Sequence, residues 1–162
     1  MKGNYMGEFF IRELDSEKDS ELLFQIVKHE DEVFQKASIG NFNIKPFAKY
    51  GKVFAMLHKE DKMEEPVSII EVLRSFNGEK GYLYGVSAVP KYEKQGHTRK
   101  LLEYVINYLS ENSINIIELT VGVNNERAIK MYKKSGFKIE KVLTNEYKDG
   151  EKRYLMKYEN KG

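Results

Sequence analysis

The chain has 162 residues, of which 41% are hydrophobic and 32% charged, with 12 Gly and 3 Pro, a balance that suits a single globular domain over residues 1–162 and excludes a disordered or collagen-like chain. Cysteine is absent, which removes disulfide scaffolds, zinc ribbons, redox dithiols and any cysteine nucleophile. The net charge, 27 − 25 = +2, is too even for nucleic-acid binding through bulk charge, and no apolar run has the length of a signal-peptide core or a membrane span. The expectation is a cytoplasmic protein with no nucleic-acid and no membrane partner.

In chain order, residues 8–14 read as a first strand, and residues 20–28 as a helix whose Leu22, Leu23, Ile26 and Val27 keep helical spacing. Residues 31–38 are expected to form a second short helix. Residues 52–59 and 66–74, rich in Val, Ile, Phe and Leu, are strands in an expected hairpin. Residues 81–89 form the next strand, ended by Pro90. From 98 to 109 the apolar residues Leu101, Leu102, Val105, Ile106 and Leu109 lie on one helical stripe. Residues 117–123 alternate as a strand does, so strand, helix and strand imply a parallel βαβ unit. A further helix carries Ala128, Ile129, Met131 and Tyr132, with Asn124 or Asn125 as its cap and Gly136 at its left-handed close. Residues 137–143 and 152–158 are two last strands joined near Asp149 and Gly150. The fold class is α+β with a mixed sheet.

Two stretches carry chemistry. In the first, a strand passes through Val89, Pro90 and Tyr92 into a polar loop around Gly96, which opens the 98–109 helix. A helix start offers backbone N–H groups without intrahelical partners at the positive end of the dipole, a setting for phosphate. Lys91, Lys94, Arg99 and Lys100 against Glu93 give 4 − 1 = +3 locally; the plainer alternative is an ordinary solvated loop. In the second, Asn125, Ala128, Tyr132, Gly136 and Phe137 have the spacing N-x-x-A-x-x-x-Y-x-x-x-G-F.

Together the two stretches resemble the GNAT superfamily of acyl-CoA-dependent N-acetyltransferases, and the order of elements from 8 to 158 is similar to that whole fold. The resemblance implies a mixed central sheet of about six to seven strands flanked by about four helices, with acetyl-CoA as cosubstrate. It implies that the backbone from Gln95 through Gly96, His97, Thr98 and Arg99 to Lys100 holds the CoA pyrophosphate. By the same resemblance Lys94, Ala88, Val89, Asn124, Asn125, Ala128 and Tyr132 would be further cofactor-binding positions, the pantetheine arm running between strands 81–89 and 117–123. The sequence departs from the family pattern at Glu93, where Arg or Gln is usual, and at Thr98, where Gly or Ala is usual.

Tyr132 is the expected general acid for the departing thiolate, against core packing as its plainer role. For the general base, Glu71 is the only acid within the strands 66–74 and 81–89; the alternatives are an exposed-face role for Glu71, the weaker candidates Tyr84 and His58, or proton release to solvent. His29, His58 and His97 share no metal-ligand spacing, so no metal is expected. Between residues 13 and 32, eight acids stand against Lys18 and Lys28, 2 − 8 = −6; an acidic wall attracts a cationic acceptor, while the alternative is a solvated helix face. The expected function is transfer of an acetyl group to a primary amine, on a small molecule or a peptide, by direct attack in a ternary complex. The alternative is a non-catalytic acyl-CoA-binding regulatory domain, and a homodimer is a further expectation.

Overall fold

The computed structural model describes residues 7–161. The elements are β1 (Glu8–Glu13), α1 (Ser20–Phe34), α2 (Ile44–Tyr50), β2 (Lys52–Glu60), β3 (Met63–Arg74), β4 (Lys80–Ala88), α3 (His97–Glu111), β5 (Ile116–Gly122), α4 (Glu126–Lys134), β6 (Lys138–Thr144) and β7 (Lys152–Glu159), with 3-10 turns at Gln35–Ala37 and Pro90–Tyr92. The strands make a seven-stranded sheet in the order β1-β2-β3-β4-β5-β7-β6. With four α-helices among the described residues, this is the α+β mixed-sheet class expected. The chain divides into two units, the first running up to Leu73 and adding Gly85–Leu101, the second made of Arg74–Tyr84 and the chain from Leu102.

In the first unit β1, β2 and β3 form an antiparallel meander, with Phe9 opposite His58 and His58 opposite Glu65. The expected hairpin of residues 52–59 and 66–74 is β2 with β3. One face of β2 and β3, at Val53, Ala55, Leu57 and Ile69, is covered by Leu23 and Ile26 of α1 and Ile44 of α2, all buried. Each fully buried aliphatic side chain of this kind contributes about 1.5–3 kcal/mol.

Two expectations about helices are corrected here. Residues 31–38 are not a separate helix: α1 runs unbroken to Phe34, and Gln35–Ala37 is a 3-10 turn. The buried stripe Leu22, Leu23, Ile26, Val27 continues to Glu30, one helical turn beyond Ile26, so the inward face does not stop where the apolar residues do. The helix ends at Gln35, whose φ of 51° leaves helical space. Conversely α2 went unexpected; Pro46 sits in its first turn, where a missing N–H removes no intrahelical bond.

In the second unit β4 and β5 pair in parallel at Lys80–Ile116, Gly81–Ile117 and Tyr82–Glu118, the parallel strand pair expected from the βαβ pattern. β7 pairs antiparallel with both β5 and β6. Of the two candidate caps for α4, Asn125 does the work, its side chain accepting the Ala128 N–H at 3.3 Å. Gly136, at φ 101°, closes the helix as expected. The β6–β7 connection occupies residues 145–151. Asn145 organises it, its Oδ1 accepting the Gly150 N–H at 2.8 Å.

Candidate functional site

In the first unit β4 stops at Ala88, and Pro90, which has no N–H for a ladder, starts the 3-10 turn. Val89 donates its N–H to Val67 O and accepts from Tyr92 N, both at 2.9 Å. Its side chain packs against the core, so the second lone pair of its carbonyl is what it can still offer a cofactor; Ala88 is half-buried. The backbone then turns through Lys94 at φ 63° and Gly96 at φ 82°, and α3 opens with Lys100 N–H donating to Gly96 O at 3.1 Å. Helix geometry leaves the amides of Gly96, His97 and Thr98 ahead of that bond without intrahelical acceptors.

A Cβ placed on Gly96 would meet nothing within 4 Å, so the loop backbone borders open space that an anion can enter. Lys94, Arg99 and Lys100 are exposed around it, with Gln95 and Thr98 half-buried. Gln95 Oε1 lies 3.3 Å from His97 Nε2. Glu93 is electrostatically linked to His29 of α1. Amides without intrahelical acceptors, a positive dipole end, three exposed cations and room above a glycine fit a pyrophosphate.

Glu71 is not the exposed strand residue that one reading allowed. It is 1% exposed and hydrogen-bonded side chain to side chain with Glu30 of α1, itself 2% exposed. Gly85 of β4 makes the room, because a Cβ there would stand 2.5 Å from Glu71 Oε2. Burial, then the contact with Glu30, pushes the Glu71 carboxyl well above the usual carboxylate range. Burial also raises Glu30, but the Ile39 backbone N–H donates to it and favours its ionised form. Glu71 Oε1 has no hydrogen-bond partner among the described residues. The shared proton therefore belongs on Glu71, the more strongly raised of the two.

Glu30 is the buried acid that sequence reasoning missed, having been counted within an acidic stretch. Its spacing held the signal: it lies four residues after Ile26 and three after Val27. The acidic stretch is correspondingly weaker than its −6. Glu30 is inside, Glu13 pairs with Lys52 at 2.8 Å, and Asp19 pairs with Arg12 at 2.8 Å. Asp15, Glu17, Glu21, Asp31 and Glu32 remain exposed. Of the weaker base candidates, His58 is buried and Tyr84 is 43% exposed.

In the second unit α4 carries Ala128, half-buried, and Tyr132, 6% exposed, its ring 5.8 Å from that of Phe137. Burial raises the Tyr132 phenol above the ordinary tyrosine range, with Arg153 acting in the opposite direction, so the phenol stays protonated at neutral pH. Asn124 is exposed beside the capping Asn125. Tyr147, on the β6–β7 loop, lies 3.4 Å from Tyr82 Oη and from Thr120 Oγ1, with the Arg153 guanidinium 5.4 Å from its ring centre. Burial pushes Tyr82 up to about 12. Among the described residues no group of three or more His, Asp or Glu side chains is placed to hold a metal ion, and no helix is long and apolar enough to cross a membrane.

Residues 13–137 match the acetyltransferase (GNAT) family. The chain belongs to the GNAT family. Its relatives include the N-alpha-acetyltransferase of Sulfurisphaera tokodaii, 37% identical over 78 residues, 48% of this chain and 47% of that protein. The match thus spans about half the length of that curated relative. Among solved structures, Ard1 from Thermoplasma volcanium superposes with a TM-score of 0.80 at 17% identity over 93% of this chain and 97% of that one. Arabidopsis thaliana NAA60 in complex with acetyl-CoA superposes with 0.78 at 18% identity over 94% and 100%. These likenesses show a GNAT fold. The family is one of acetyltransferases, and the similar NAA60 structure holds acetyl-CoA.

Proposed function

We propose that this GNAT chain transfers the acetyl group of acetyl-CoA to a primary amine by direct attack in a ternary complex. The observation that carries the reading is the open, basic Gly96 loop at the start of α3, whose amides suit the pyrophosphate of the donor. Gln95 to Lys100 would hold it by backbone, with Lys94 adding charge, while Ala88, Val89, Asn124, Asn125 and Ala128 complete the cofactor contacts. Similarity to an N-alpha-acetyltransferase supports the α-amine of a polypeptide as the acceptor, and the exposed acids of α1 and the residues before it favour one with positive charge nearby.

Bound acetyl-CoA supplies the thioester carbonyl. An alkylammonium acceptor must lose a proton before it can attack, and the Glu30–Glu71 pair, once singly ionised, takes it. The amine nitrogen then bonds to the carbonyl carbon, the carbon–sulfur bond breaks, the buried Tyr132 phenol gives its proton to the sulfur, and the second proton shed by the new amide nitrogen restores the phenol. With no cysteine in the chain, no acyl-cysteine stage intervenes. The second reading, a non-catalytic acyl-CoA-binding domain, draws on Glu93 and Thr98 in the loop, but the buried acid pair and Tyr132 favour turnover. Thiol release from acetyl-CoA against a panel of peptides and small amines tests the proposal. Release that depends on a peptide with a free α-amine is expected; CoA binding without release for any amine would leave the regulatory reading.

A further inference from the structure

We infer that a cross-strand row of Phe9, His58 and Glu65, acting through Tyr92 and His97, fixes the shape of the Gly96 loop and so sets affinity for an anionic phosphate ligand. The inference rests on the acetyl-CoA reading for the identity of that ligand, but the row itself is built from contacts within the first unit. Phe9, His58 and Glu65 stand opposite one another on β1, β2 and β3 and project from one face of the sheet. Tyr92, the last residue before the loop, is 2% exposed; its hydroxyl donates to Glu65 Oε1 and lies 3.3 Å from His58 Nδ1. A phenol has one proton, and Tyr92 gives it to Glu65, so His58 Nδ1–H donates to the Tyr92 oxygen. Lys91 Nζ donates to the same Glu65 oxygen at 3.2 Å and lies 5.2 Å from the Tyr92 ring centre.

On the far side of the loop His97, the first residue of α3, stacks on Phe9 with ring centres 4.3 Å apart, while the Phe9 and His58 centres are 4.7 Å apart. Residues 93–96 therefore hang between two anchors on the same row. Between those anchors the backbone holds two residues in left-handed conformation, Lys94 and Gly96, one of them not glycine. A free loop adopts that geometry at a cost, which a fixed pair of ends removes before the ligand arrives. Tyr92, Glu65 and His58 are positioning residues, and the His97 side chain acts likewise: none of these side chains needs to touch the ligand.

The test uses the full chain with Tyr92→Phe and, at the half-exposed carboxylate, Glu65→Gln. Calorimetry with CoA is expected to show binding weakened about tenfold by loss of the Tyr92–Glu65 bond. Backbone hydrogen exchange without ligand is expected to speed up at residues 94–98. With acetyl-CoA the Michaelis constant rises while kcat falls less than twofold, and with S-acetylpantetheine, which lacks the pyrophosphate, the Michaelis constant shifts less than twofold. CoA affinity within twofold of the parent, with loop exchange unchanged, overturns the inference, as does an equal loss on S-acetylpantetheine. If the parent chain binds no CoA, the donor reading fails, and faster loop exchange in the variants alone decides for the row.

Discussion

Glu30 of α1 and Glu71 of β3 hydrogen-bond to each other in the interior of the first unit, both at most 2% exposed. Two acids side by side out of water cannot both be ionised, so the contact exists only with a proton between them.

The pair makes stability depend on pH with a definite sign. Below the ordinary glutamate value of 4.5 both acids are protonated, folded or unfolded. As pH rises past it the unfolded chain loses protons that the folded pair keeps, so stability falls until the raised folded values are passed. Glu71→Gln removes most of this slope, and at pH 7 the variant is expected to be more stable than the parent by about 1–2 kcal/mol. Urea unfolding between pH 4 and 8 measures it; a parent whose stability does not fall over that window contradicts the shared proton. If the pair is also the base, the same variant loses about a hundredfold in acetylation rate.

The pair also shows where the sequence was legible and where it was not. α3, β5 and α4 can be read directly because apolar residues repeat there at 3.6 or 2 positions, and Asn125 and Gly136 mark the ends of α4 in the sequence. The Gly96 loop is legible for the same reason, being the polar break between two such patterns. Glu30 is hidden because its neighbours Asp31 and Glu32 are exposed acids, and residue type alone does not say which of three acids points inward. α2 is hidden because Pro46 reads as a break, although Ile44 and Ala48, both buried, are one turn apart. The insertion of β7 between β5 and β6 has no local signal, since pairing order depends on which edge remains free.

Tyr132→Phe keeps the ring against Phe137 and deletes only the phenolic proton. Acetylation is expected to fall about tenfold to a hundredfold, at the low end of general-acid contributions, with CoA affinity changed little. Because burial raises the phenol, the parent should show no loss of activity from Tyr132 ionising between pH 7 and 10. Initial rates over that range check both points, and a variant turning over like the parent removes Tyr132 from the chemistry.

Asp19 accepts a two-pronged contact from Arg12, Nη1 to Oδ2 at 2.8 Å and Nη2 to Oδ1 at 2.9 Å, and also the Asp15 N–H at 2.7 Å. These bonds, Arg12 foremost, hold its carboxyl below the usual range. The stabilisation is therefore complete above the unfolded value of 3.8 and disappears as pH falls through the lower folded one. Asp19→Asn is expected to cost about 1 kcal/mol at pH 7, where the pair is partly buried. Thermal unfolding should show the gap closing at pH 2; a gap that persists there would assign the loss to packing instead.

Gly96 separates the needs of the fold from those of the ligand. Its φ of 82° costs an alanine about 1 kcal/mol of backbone strain, but the new methyl group meets no protein atom within 4 Å. Gly96→Ala should therefore fold, with a melting temperature lower by a few degrees, about what such a strain produces in a chain of this size. If the loop amides hold the pyrophosphate as proposed, the methyl group occupies the space through which it reaches them, so CoA affinity is expected to fall by tenfold or more, beyond the small loss of stability. Calorimetry on Gly96→Ala beside Gly150→Ala, a glycine at φ 79° whose added Cβ also meets nothing within 4 Å, distinguishes a local block from a general effect. Equal affinities for CoA in the parent and Gly96→Ala would place the pyrophosphate elsewhere on the chain.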